Sequence, residues 1–171
     1  MTSANIIIVE DEFIIAMETK SNLVDLGYNV TSIVDTGEKL IAKIKEEIPD
    51  LILMDIQIKG NMDGIEVAEF IRSNHSKSIP LIFLSAYAED EKLDRAKQVY
   101  PSGYLIKPVQ ERELKASIEM ALHASQLVAQ QIKDVKALQS ALEESKIKCE
   151  ETCGLRNNVE EFIDNIKYIK F

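Results

Sequence analysis

Short apolar runs alternate with stretches of helical periodicity from the N-terminus to about residue 120. Five runs read as strands, at 5–9, 28–34, 51–54, 81–84 and 103–106. The third and fourth are apolar at every position, as strands covered on both faces are, whereas 28–34 alternates and predicts a sheet edge. Between the strands, Ile14, Ile15, Leu23 and Leu26 mark a first helix that stops at Gly27, and Leu40, Ile41, Ile44 and Ile48 mark a second that stops before Pro49. Ile65, Val67, Ala68, Phe70 and Ile71 outline a third, a weaker fourth spans about 89–99, and a fifth begins after Pro108. Strand followed by helix, five times over, predicts an α/β fold. The expected form is a doubly wound five-stranded parallel sheet with helices on both faces and sites at the carboxyl ends of the strands.

The helical pattern beyond Pro108 does not stop at an ordinary length. From Glu111 no Gly or Pro interrupts it until Gly154, roughly 60 Å of helix at ~1.5 Å per residue. Val128, Val135, Leu142 and Cys149 recur every seven residues, and Ala124, Gln131, Leu138 and Ser145 form a second such series, so the seam is half apolar. After Gly154, Leu155, Val159, Phe162, Ile163, Ile166 and Ile169 give a strongly amphipathic stretch. The expected organisation is one domain over 1–120 and a helical extension over 121–171, comprising a long helix, a break near Gly154 and a second amphipathic helix. Side chains of this kind gain about 1.5–3 kcal/mol each on full burial, which predicts a homodimer in which helical hairpins from two chains form a bundle.

Composition narrows the function classes. A chain of 171 residues has room for one ordinary domain and a short appendage but not for a second catalytic domain. With 46% hydrophobic and 29% charged residues it can build a core. Lys and Arg number 20 against 29 Asp and Glu, a net charge of −9, and from Ala121 onward the balance is −1. That argues against direct nucleic-acid binding and against anionic membrane surfaces. The apolar runs fall far short of the ~20 residues of a membrane span, and the N-terminus has no secretory pattern, so a cytoplasmic location is expected. Cys149 and Cys153 fit a reducing compartment, and without neighbouring histidines they do not make a closed zinc site. His123 has no acidic neighbour and reads as an ordinary surface residue.

The candidate chemistry lies at strand ends. Glu10 and Asp11 follow the first strand, Asp55 ends the third, Ser85 follows the fourth and Lys107 follows the fifth. In a doubly wound fold these ends meet in one crevice. Three clustered carboxylates repel one another and call for a hard divalent cation, and Mg2+ suits one or two carboxylates with phosphate and water. A carboxylate beside Mg2+ can attack a phosphoryl group, with Ser85 and Lys107 holding its oxygens. Any one of these residues alone would read as a helix cap or loop solubiliser. All five in this order do not.

The residues Glu10-Asp11, LILMD ending in Asp55, MDG at 62–64, Ser85-Ala86 and YLIKP at 104–108 resemble, over about 4–120, the receiver domain of two-component response regulators. The resemblance implies that Asp55 is the phosphoacceptor and that Asp11 ligates Mg2+ directly. Glu10 would help through water, and the backbone carbonyl of Gln57 would complete the metal shell. Ser85 would hydrogen-bond the phosphoryl group, Lys107 would neutralise it, and Tyr104 would be an aromatic switch that follows Ser85. The sheet order 2-1-3-4-5, a cis bond before Pro108 and, as partners, a histidine kinase and a downstream protein target are implied as well. The usual Met-Pro after the phosphoacceptor is missing and QIKGNMDG is one residue longer than the common spacing, so a reshaped loop is expected. Gln57 and Tyr87 would flank the path of the hydrolytic water, with Tyr87 shielding the phosphoryl group.

The competing readings are weaker. A Mg2+-dependent phosphohydrolase would need an acid/base Asp two places after the nucleophile, and Gln57 stands there. The chain is therefore expected to catalyse only its own phosphorylation and dephosphorylation. An RNA-binding antitermination tail conflicts with the near-neutral extension. The front end of a longer hybrid sensor or regulator stays open, since ALEESKIK reads as a helical linker.

Overall fold

The computed structural model describes the backbone of residues 3–74, 79–86 and 90–167, with side chains over the same residues except 90–92 and those beyond 145. The elements, in chain order, are β1 (Asn5–Val9), α1 (Phe13–Asp25), β2 (Asn29–Val34), α2 (Gly37–Glu46), β3 (Leu51–Asp55), α3 (Gly64–Asn74), β4 (Leu81–Ser85), α4 (Asp90–Gln98), β5 (Gly103–Ile106) and α5 (Glu111–Lys167). The sheet is parallel throughout in the order β2-β1-β3-β4-β5. This is the expected topology, with β2 as the edge.

The period of two along each strand builds two cores. Ile7, Val9, Ile52, Met54, Leu81 and Phe83 point to one face, where Leu40 and Ile44 of α2 and Ile65, Val67 and Ile71 of α3 cover them. Ile6, Ile8, Leu51, Leu53, Ile82 and Leu84 point to the other, under Leu23 of α1 and Leu114, Ile118 and Ala121 of α5. Every residue of β3 and β4 is buried, which explains why both strands are apolar up to their last residues, Asp55 and Ser85.

Local chemistry sets the helix starts. The Thr36 hydroxyl caps α2 by accepting from the Lys39 N–H at 3.3 Å. At α3, Asp63 and Glu66 form a reciprocal capping box. The Asp63 carboxylate accepts from the Glu66 N–H at 2.9 Å and the Glu66 carboxylate from the Asp63 N–H at 2.8 Å. The MDG sequence thus supplies a cap followed by a glycine, and Gly64 is needed because a Cβ there would run into the Asp55 carbonyl oxygen.

Three sequence expectations change. Phe13 and Ile14 point to solvent, 76% and 80% exposed, because Ala16 and Leu23 carry the buried face of α1. Ile48 lies outside α2, which ends at Glu46. No break occurs near Gly154, since α5 is one helix to Lys167. A single glycine costs a helix only about 1 kcal/mol, too little to end it without turn chemistry alongside. The chain divides into two compact units, Met1–Gln126 and Leu127–Phe171. In the second unit, Leu127, Val128, Ile132, Val135, Leu138 and Leu142 are each about half exposed or more. The side chains of Cys149, Cys153 and the 155–169 stretch lie outside the described residues.

Candidate functional site

Parallel register assembles the site. Val9 pairs with Met54 and Asp55 with Leu84, which sets Glu10 beside Asp55, and Ser85 pairs with Ile106, one residue before Lys107. The Lys107 N–H donates to the Ser85 carbonyl at 2.7 Å, and the Lys107-Pro108 peptide bond is cis. Among the described residues, Glu10, Asp55 and Ser85 are the buried polar ones.

At the centre, the Lys107 ammonium donates to Oε2 of Glu10 and Oδ2 of Asp55, each at 2.5 Å. The remaining oxygens meet backbone. Oδ1 of Asp55 accepts from the Gln57 N–H at 2.8 Å, and Oε1 of Glu10 accepts from the Glu12 N–H at 3.3 Å. Two buried carboxylates therefore share one buried ammonium. Burial pushes the Glu10 carboxyl above its ordinary value; Lys107 pulls it down, and the Asp55 charge adds to the rise. For Lys107, burial works against the ammonium, but the hydrogen bonds to Asp55 and Glu10 outweigh it and raise its pKa. The site carries more negative than positive charge.

Asp11 stands at the rim. Its side chain is 18% exposed and pairs with the Lys59 ammonium at 3.4 Å. Lys59 is absent from the set of residues read from the sequence, and the signal for it was the lengthened QIKGNMDG loop. That loop is held against the start of α2: Thr36 and Lys59 form an isolated parallel bridge, Gly60 takes φ +117°, and the Glu38 carboxylate accepts from the Asn61 N–H at 3.3 Å. Arg95 of α4 reaches the α3 cap, 3.0 Å from Asp63. Gln57 is exposed and Tyr104 is half-buried against the core under α3. Tyr87 lies outside the described residues.

Among the described residues no three His, Cys, Asp or Glu side chains are gathered as a ready metal-binding group. The donor chemistry nonetheless fits Mg2+, which takes one or two carboxylates and fills its other positions with carbonyl oxygen and water. Asp11, Asp55 and the Gln57 carbonyl offer that set, and the surplus of carboxylate charge favours a cation.

The chain is 28% identical to the transcriptional regulatory protein PdtaR of Mycobacterium tuberculosis over 142 residues, 83% of this chain and 68% of PdtaR. In another curated relative the matching stretch is 24% of the regulator's length. The signal receiver domain of a modulated diguanylate cyclase from Desulfovibrio desulfuricans is 36% identical, with a TM-score of 0.68, covering 74% of this chain and 98% of that one. The receiver domain of a sensor histidine kinase from Pseudomonas aeruginosa, with a magnesium ion coordinated in its active-site cleft, is 27% identical with a TM-score of 0.65, over 71% of this chain and 99% of that one. Residues 6–119 match the response regulator receiver domain, and the chain belongs to that family.

Proposed function

We propose that the chain is a phosphorylation switch in which Asp55 accepts a phosphoryl group from a histidine kinase. The observation that carries this reading is the Lys107 ammonium bonded at once to Glu10 and Asp55 at the carboxyl edge of the sheet. An Asp55 carboxylate oxygen forms the new bond to phosphorus while the bond to the donor's histidine nitrogen breaks, and that nitrogen keeps the electron pair. Lys107 passes from the carboxylate to a phosphoryl oxygen, and the Ser85 hydroxyl donates to another. Asp11, Asp55 and the Gln57 carbonyl would hold Mg2+, with Glu10 acting through water. The ion would neutralise charge on the transferred oxygens. Tyr104, on the strand between Ser85 and α5, transmits the change, and the chain acts through protein contacts rather than on a substrate of its own.

The protein donor has a surface to dock on. Phe13 and Ile14 expose large apolar side chains directly after the acidic pair. Among the described residues no helix is long and apolar enough to cross a membrane. Incubation with the phosphorylated histidine kinases of its host tests the reading: one of them transfers label to the chain within seconds to minutes, and transfer from none contradicts it.

The exposed series Val128, Val135 and Leu142, with Ile132 and Leu138 beside it, supports a homodimer through α5. With α5 continuous, paired long helices replace the hairpins expected from the sequence. Light scattering at tens of micromolar should give twice the chain mass for the full chain and a single chain mass for one ending at Gln126. A full-length monomer overturns the dimer. A second reading, the receiver part of a longer protein, is favoured by the D. desulfuricans relative, which is one domain of a cyclase.

A further inference from the structure

We propose that Lys59 is a built-in counter-ion of Asp11 that competes with Mg2+ and so sets the metal affinity of the site; the proposal rests on the reading of Asp11 as a metal ligand. The Lys59 ammonium lies 3.4 Å from Oδ2 of Asp11, the one of the three site carboxylates that Lys107 does not bond. Its own side chain is 69% exposed, so it can leave without being stranded in a buried place. Its backbone cannot leave as readily. The bridge to Thr36 and the grip of Glu38 on Asn61 hold residues 59–61 against α2, so the lysine is delivered to Asp11 by the loop rather than by a chance rotamer.

A divalent ion at Asp11 and an ammonium on the same carboxylate repel each other, and the ion must first displace the lysine. The lysine can then turn to solvent, where most of its side chain already lies. An exposed pair of this kind is weak in itself, but its unit charge acts on a doubly charged ligand a few ångströms away, which enlarges its effect on metal binding. The lengthened loop that carries Lys59 therefore has a function: the site fills at higher Mg2+ than its carboxylates alone would require, and filling it displaces the Lys59 side chain from Asp11.

The test is a Mg2+ titration followed by amide NMR shifts, with wild type, Lys59→Met, Lys59→Arg and Lys43→Met compared. Lys43 lies on α2 and pairs with Glu46, so its replacement changes net charge equally without touching Asp11. Lys59→Met should tighten Mg2+ binding by about three- to tenfold, Lys59→Arg should stay within about twofold of wild type, and Lys43→Met should match wild type. Equal affinity in wild type and Lys59→Met, or equal tightening in Lys43→Met, overturns the competition while leaving the metal site intact. No Mg2+ response in any chain overturns the metal reading beneath it and the proposal with it.

Discussion

Lys107→Met, studied in the presence of a chelator, should cost the receiver domain about 3–5 kcal/mol, because it leaves the buried carboxylates of Glu10 and Asp55 with no cation between them. The Lys107, Glu10 and Asp55 side chains are 15%, 1% and 9% exposed, so solvent cannot replace the lost charge. Thermal unfolding would then fall by about 10 °C or more. The sign of the pH dependence follows from linkage. Lys107 has a raised pKa in the folded state, so its contribution is fully present below the ordinary lysine value and is lost only as pH rises through the raised one. In the variant, the upward push of burial on Glu10 is no longer opposed by Lys107. Above the ordinary carboxylate value the native state then binds more protons than the unfolded chain, and its stability falls as pH rises. The gap between wild type and variant should therefore narrow from about pH 7 to about pH 5. Mg2+ should narrow it too, by supplying the missing positive charge. Calorimetric scans at the two pH values, with and without Mg2+, check all three statements, and a gap that ignores both would mean that Lys107 matters by packing alone.

Gly64→Ala should couple stability to the site through backbone contact. A Cβ at this position would collide with the Asp55 carbonyl oxygen and stand 3.0 Å from the Ile56 Cα, and backbone atoms at the end of a buried strand cannot yield as a flexible side chain does. The Gly64 N–H donates to the Ile56 carbonyl at 2.9 Å, so helix and strand end are already tied and cannot separate cheaply. Overpacking of this kind costs about 1–3 kcal/mol. The displacement falls on Asp55 itself, so phosphorylation by small donors should slow more than the stability loss explains. Denaturant unfolding and a phosphorylation time course on the same variant check the pair; a destabilised chain with wild-type phosphorylation would place the strain elsewhere.

The legibility of this chain tracks how far each feature is set by burial. LILMD and LIFLS had to lie inside a sheet, because two five-residue strands without an exposed position have no other use, and parallel register then forced Glu10, Asp55, Ser85 and Lys107 to the same edge. The parallel sheet and the central cluster were therefore legible in the sequence, and the resemblance to receiver domains supplied the strand order. Ile14 was misleading because helical periodicity identifies a face but not which of several apolar residues points inward, and small Ala16 packs where a larger side chain was expected. Gly154 was misleading because a glycine ends a helix only when the surrounding chain turns, and here α5 continues. Lys59 left only the lengthened QIKGNMDG loop as its trace in the sequence. Its pairing with Asp11 depends on a left-handed Gly60 and on a hydrogen bond to Glu38 more than twenty residues away, contacts that no local pattern announces.

The central claim is that Asp55 is the phosphoacceptor of a Mg2+-dependent site. Intact-mass measurement after treatment with acetyl phosphate tests it most directly, using the wild type with Mg2+, the wild type with chelator, and Asp55→Asn with Mg2+. The account predicts the mass of a single added phosphoryl group in the first sample and none in the other two; undiminished phosphorylation of Asp55→Asn, or of the wild type in chelator, would contradict it.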